Sequence, residues 1–224
     1  MNDVEVAPTI DGGDDGRNLR RQRNRDAVID ALLGLYHEGN LNPGSAEIAE
    51  RADLSPRSLF RYFDGADDLS ASAIDRQLDS VRHLFTIDLE DDASLADRVA
   101  ALARRQVTLF EAAGPTIHVV RLRAPFNQVV QERLSTNRLR VRRQIAELFS
   151  AELGRMDDTA ATATLAALDV MCSWESYELL RRDQRHSEQE AESVMRRSLT
   201  ALLAPECRNP ELVDPQLVNE GRTT

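Results

Sequence analysis

Residues 45–63 read SAEIAERADLSPRSLFRYF, and the way this stretch folds decides the architecture of the chain. Two runs with helical apolar spacing flank a short break at Asp53–Leu54–Ser55. The spacing predicts short helices over about 45–52 and 56–62. Ile48, Ala49, Ala52, Leu54 and Leu59 fall where two such helices, crossing steeply, bury residues against each other. Ala49 is small where the second helix must come close. Asp53 sits at a turn position that often needs left-handed backbone, which aspartate tolerates less well than glycine. Ser55 is a suitable N-cap, and Pro56 then takes the first helical position. Arg57, Arg61 and Tyr62 decorate the other side of the second helix. The pattern predicts a helix-turn-helix whose second helix lies in the major groove of DNA.

Upstream, Ala27, Val28, Ala31, Leu32, Leu35 and Tyr36 recur at three- and four-residue steps from Leu19 until Gly39 supplies a stop, which predicts one long helix. Its start, Arg17 to Arg25, carries five arginines and no acid, although the whole chain has a formal charge of −10. All 28 basic residues are arginine, whose planar fork can hold a phosphate or a guanine edge with two bonds. Salt screens exposed charges beyond about 8–10 Å, so a locally basic arm can serve a polyanion on an acidic protein. Residues 1–16 hold acids, glycines and no base, and are expected to be a disordered acidic tail able to compete for the arm.

Downstream the pattern stays helical, with segments expected near 66–87, 94–112, 115–123, 125–153, 157–183 and 187–203. The breaks fall at Glu90–Ser94, Gly114–Pro115, Pro125, Gly154 and Gln184–Ser187. No segment alternates in the manner of a strand. Residues 205–224, with three prolines, read as an irregular tail.

The order of basic arm, long helix ending in glycine, EIAERADLSPRSLFRYF and a further helix resembles the N-terminal domain of TetR-family transcriptional regulators, over about residues 17–70. The resemblance implies an all-α protein: a three-helix helix-turn-helix DNA-binding domain over 17–65, then a larger helical ligand-binding and dimerisation domain over 66–204. It implies that Ser45, Ser55, Ser58 and Tyr62 approach phosphates, with Phe60 on the same surface. Arg57 and Arg61 can bond guanine O6 and N7 bidentately, or serve as phosphate contacts or a solvated face. Arg20, Arg21 and Arg23 follow the backbone or enter the minor groove. Three positions depart from the family pattern: Asp53 for a glycine, Phe60 for a tyrosine, and Ala66 for a lysine that touches phosphate.

By the same resemblance, the partners are a double-stranded, near-palindromic operator, a small-molecule effector and a second copy of the chain. The homodimer is expected through helices 157–183 and 187–203, the latter with a seam of Ala191, Val194, Met195, Ser198 and Leu202. The effector, apolar or aromatic, would release a repressor from its operator. Phe85, Phe110, His118, Phe126, Met171, Trp174 and Tyr177 are candidates for lining its pocket, and each equally suits a plain core position.

The sequence leaves two rival readings. A helical protein-interaction adaptor without an effector would use the long apolar seam, but leaves the arginine arm without a purpose. An all-α enzyme lacks its chemistry: no aspartate pair begins DDxxD, and His37, His83, His118 and His186 have no metal-ligand spacing. There is no phosphate-binding glycine loop and no GxSxG turn, so neither catalytic residue, metal nor cofactor is expected. No uncharged run is long enough to span a membrane, the start lacks a signal pattern, and Cys172 and Cys207 have no partner motif. These features suit a reduced, cytoplasmic protein away from membranes.

Overall fold

The computed structural model of the protein describes residues 12–90 and 92–204; the expected tail over 205–224 lies outside them. Among the described residues there are helices and turns and no strand. No helix among them is long and apolar enough to cross a membrane. The chain divides into two compact units. The first holds the described residues as far as Ser80 together with Pro115–Glu132, and the second holds Val81–Gly114 and the described residues from Arg133 onward.

The first unit is built on α1 (Gly12–His37), α2 (Ser45–Arg51), α3 (Pro56–Leu59) and α4 (Ala66–Ser80). Residues 12–16, expected in the disordered tail, are helical, whereas residues 1–11 lie outside the description. Val28, Leu32 and Leu35 of α1 form one buried stripe, against which Ile48 and Ala49 of α2, Leu59 of α3, and Leu69 and Ala73 of α4 close. Each large aliphatic side chain removed from water contributes about 1.5–3 kcal/mol, so this stripe fixes where the short helices sit. Gly39 ends α1 at φ 89, with Gly39 N–H donating to Tyr36 O and Asn40 N–H to Leu35 O, both at 3.0 Å. That pair of bonds is the glycine stop read from the sequence. The same two-bond arrangement ends α2, with Asp53 at φ 54 and Leu54 N–H reaching Ala49 O at 2.9 Å.

Packing groups α4 with this first unit. Arg76 of α4 pairs with Asp26 and, at 2.9 Å, with Asp30 on α1. Helix α4 stops at Ser80, short of the expected 87, and a 3-10 turn over Arg82–Phe85 follows.

The second unit contains most of α5 (Leu95–Arg123) and α6 (Gln128–Leu148), with α7 (Ser150–Leu153), α8 (Asp158–Met171), α9 (Trp174–Glu178) and α10 (Glu188–Leu203). The expected break at Gly114–Pro115 is absent, because α5 runs through it. Proline there removes the bond to the carbonyl four residues back, a loss the helix absorbs, yet the unit boundary falls at this same step. The expected helix 125–153 is instead a 3-10 turn at Ala124–Phe126, then α6 and the single turn α7.

The expected unbroken helix 157–183, about 40 Å long at 1.5 Å per residue, is also corrected. Asp157 caps α8 by accepting Ala160 N–H at 2.9 Å, but α8 ends at Met171. Ser173 then caps α9, accepting Ser176 N–H at 3.2 Å, and a π-helical turn over Leu179–Asp183 completes the segment. A serine that bonds its neighbours' backbone offers an alternative to continuing the helix, and its signal is weak in sequence. Helix α10 opens with a capping box between Ser187 and Glu190. Its stripe Ala191, Met195, Leu199 and Leu203 is at most 1% exposed within one chain. Of the seam expected to meet a partner, Ala191 and Met195 are therefore used internally, and Val194, Ser198 and Leu202 stay half-buried.

Candidate functional site

Helix α3 is one turn long. Ser55 Oγ accepts Ser58 N–H at 3.2 Å and lies 2.9 Å from Ser58 Oγ, and Pro56 follows the cap. After Leu59 the chain does not continue as α-helix to 62. It tightens, with Arg61 N–H bonding Ser58 O at 3.1 Å and Tyr62 N–H bonding Leu59 O at 3.0 Å. Leu59 and Phe63 are buried, so Arg57, Phe60 and Arg61, at i, i+3 and i+4, stand together on the exposed side. Phe60 is 59% exposed, unusual for a large aromatic ring unless a partner covers it. Ser45, at the start of α2, is exposed as well.

Tyr62 is half-buried, and its phenol oxygen accepts the Asn24 amide at 2.8 Å. Next to it Arg25 donates to Tyr62 O at 2.6 Å and to Ser72 Oγ at 2.7 Å. Its guanidinium stacks 4.4 Å from the centroid of Phe63 and lies 3.7 Å from Asp68. Asn24 and Arg25 thus set the angle between α1 and the segment after α3. Sequence reasoning grouped Arg25 with the arm and overlooked Asn24. The available signal was their spacing, three and four residues before Val28, which carries the buried stripe of α1 outward.

Arg20 and Arg21 continue that same face one turn further, exposed, whereas Arg23 lies about a third of a turn round the helix. The arm is helical rather than extended. Arg20, Arg21, Arg23, Arg57 and Arg61 have no acidic partner among the described residues. At the start of α4, where Ala66 stands, Asp67 accepts the Asn127 amide at 2.6 Å and Asp68 accepts Asp64 N–H at 3.1 Å.

No family model matches this sequence, and no curated protein does. Solved structures do match. One is a putative TetR-family transcriptional regulator from Rhodococcus, at 15% identity and a TM-score of 0.64, covering 81% of this chain and 99% of that one. Another is MexZ of Pseudomonas aeruginosa, a repressor responsible for antibiotic resistance, at 16% identity and 0.55, covering 84% and 98%. A third is the multidrug binding protein EbrR complexed with imidazole, at 23% identity and 0.51, covering 80% and 94%. The fold is that of the TetR-type regulators. On the TetR fold, the α2–α3 pair described above is the helix-turn-helix.

In the second unit of this TetR fold, three of the expected pocket residues meet. Phe110 packs edge-on to Trp174 with ring centroids 5.7 Å apart, and lies 5.3 Å from Tyr177. Gly114 makes room for the indole, since a Cβ there would come within 2.9 Å of Trp174 Cη2. The Tyr177 hydroxyl donates to Glu111, which also accepts Arg181 Nε at 3.1 Å. Burial, and then the Glu111 carboxylate, push the Tyr177 phenol well above its ordinary range. Met171 ends α8 half-buried, and Phe85 is buried with its carbonyl accepting Gln144 at 3.2 Å.

His118 and Phe126 belong to the first unit, and Phe126 is 91% exposed, on the surface rather than in an enclosed site. Sequence reasoning also missed the polar groups of the interior. Arg105 and Gln106 are 7% and 1% exposed on α5, and Cys172 is 3% exposed. Burial pushes the Cys172 thiol up to about 12, with Arg105 opposing the shift. The legible signal was an arginine on the apolar stripe Leu102–Arg105–Leu109. Among the described residues no group of His, Cys, Asp and Glu is placed to hold a metal ion.

Proposed function

We propose that this chain is a dimeric, sequence-specific DNA-binding regulator that represses from a near-palindromic operator and is released by a small-molecule effector. The observation that carries the reading is the exposed Arg57–Phe60–Arg61 face, set by the Ser55 cap, in the same unit as the exposed helical arginines of α1. Arg57 and Arg61 read base edges in the major groove, while Ser45, Ser55, Ser58, Tyr62, Arg20, Arg21 and Arg23 hold phosphates. Two copies on a two-fold axis place two such faces about one helical turn apart. Val194, Ser198 and Leu202 of α10, with Val170 of α8 at 62% exposure, suit the subunit interface. The aromatic cluster of the second unit suits an aromatic effector, and EbrR, of like fold, is complexed with imidazole and with ethidium. The effector favours a conformer whose two reading heads are wrongly spaced for DNA.

Selection of bound fragments from genomic DNA, followed by titration of the enriched site, tests the reading. Arg57→Ala should lose about 1–3 kcal/mol at one base pair and little elsewhere. An equal loss on every sequence would remove Arg57 as a base reader, and no enriched fragment would remove the function.

A further inference from the structure

Among the described residues, the second unit buries a cation that no acid neutralises. Arg105 Nη1 donates to Gln144 Oε1 at 3.1 Å, while Nε and Nη2 are buried without a partner. A buried guanidinium without an anion is costly, and the absence of a counterion calls for an explanation. Glu152, Asp169 and Glu111 of this unit have partners of their own: Glu152 holds Arg98 at 2.6 Å, Asp169 holds Arg142 at 3.4 Å, and Glu111 holds Tyr177 and Arg181. Nε and Nη2 lie on one edge of the guanidinium, two near-parallel N–H groups that match the two oxygens of a carboxylate.

Gln106, the next residue, is equally out of water. Its Nε2 donates to the Cys172 carbonyl, which fixes the amide orientation and leaves Oε1 as an acceptor with no partner. Arg105 acts on the same residue electrostatically, through the Cys172 thiol. Two residues past Cys172, Trp174 Nε1 is a further buried donor without a partner. Buried donors and an acceptor with open hydrogen-bonding capacity, on neighbouring residues of α5 and at Trp174, are matched in chemistry to a polar ligand.

We propose that Arg105 and Gln106 form the polar end of the effector site, and that the effector is an aromatic carboxylic acid. Its carboxylate takes the free edge of Arg105, a neighbouring hydroxyl or N–H donates to Gln106 Oε1, and its ring packs towards Phe110, Trp174 and Tyr177. The inference rests on the second unit being the effector-binding one. It separates this chain from EbrR in ligand class, because a cation such as ethidium is repelled by Arg105.

Trp174 is the only tryptophan, so its emission reports on the site directly. The full chain is titrated with benzoate, mandelate and indole-3-acetate, each against its neutral amide, and with ethidium, following emission for the first two pairs and calorimetric heat for indole-3-acetate and ethidium. Binding by the acids at least tenfold tighter than by their amides, with none by ethidium, supports the proposal. Arg105→Met should abolish the preference for acids while the melting temperature without ligand stays level or rises, since an apolar isostere removes an unpaired buried charge. If that variant does not fold, Arg105→Lys carries the test, keeping the charge, losing the two-pronged edge, and weakening the acids at least fivefold. Equal binding of acids and amides, no binding by any acid, or a preference that survives substitution of Arg105 would overturn the proposal. Operator affinity is measured separately: acids that bind without changing it leave the anion site standing and remove its effector role.

Discussion

The guanidinium of Arg25 lies 4.4 Å from the ring centroid of Phe63 and at the same time donates to the carbonyl of Tyr62 at 2.6 Å. One side chain of α1 thus grips both the buried Phe63 and the half-buried Tyr62 of the segment that follows α3. Arg25→Ala removes two charge-assisted bonds and a ring contact, and should destabilise the first unit by about 2–3 kcal/mol. Urea unfolding measures this, and a loss within about 0.5 kcal/mol would show that Phe63 packing alone sets the segment.

Asp53 holds left-handed backbone at φ 54, at a helix end that glycine commonly occupies. Asp53→Gly should therefore stabilise the unit by about 0.5–1 kcal/mol, and Asp53→Val should cost about 1 kcal/mol or more. Melting curves of the two variants should bracket the parent. A lower melting temperature for Asp53→Gly would mean that the aspartate side chain contributes more than its backbone strain.

Arg98 donates to Glu152 at 2.6 and 2.9 Å and to Leu148 O at 2.6 Å. The Arg98 hydrogen bonds hold the Glu152 carboxyl below its ordinary 4.5, against the opposing effect of burial. A depressed carboxyl stabilises fully above its unfolded value, and the contribution is lost as pH falls through the lowered one. Glu152→Gln should cost about 3 kcal/mol at neutral pH by leaving Arg98 without its anion. The gap between parent and variant should stay level down to about pH 5 and close only in stronger acid. A gap that closes already near pH 6 would assign the effect to another group.

Gly114 faces the indole of Trp174 so closely that a Cβ would lie 2.9 Å from Cη2. Gly114→Ala should displace the ring, cost about 1–2 kcal/mol, and shift the emission of the single tryptophan. Unchanged emission with unchanged stability would show that the indole has room to move.

The helix-turn-helix was legible because it is local. Helical spacing, a serine before a proline and an aspartate at the turn are written within nineteen residues, and each is a short-range backbone rule that tertiary packing had no cause to override. The all-helical class followed from the same periodicity. Sequence misjudged the ends of elements: α5 runs through Gly114–Pro115, and the segment after Asp157 breaks at Ser173. Both outcomes balance one backbone bond against packing, and packing involves residues far apart in the chain.

The interior of the second unit was legible only in part. Phe110, Trp174 and Tyr177 were found as aromatics at helical spacing, but Phe126 looked the same in sequence and stands in solvent. Arg105 looked like any arginine of an acidic helical protein. Sequence by itself determined the all-helical class, the turn between α2 and α3 and which face of α3 carries arginine, because those follow from periodicity and capping over one or two turns. Only the tertiary structure decided that Arg25 is a strut and that Arg105 is a buried cation with no anion among the described residues, because burial and partners are set by whatever the rest of the chain brings against a residue.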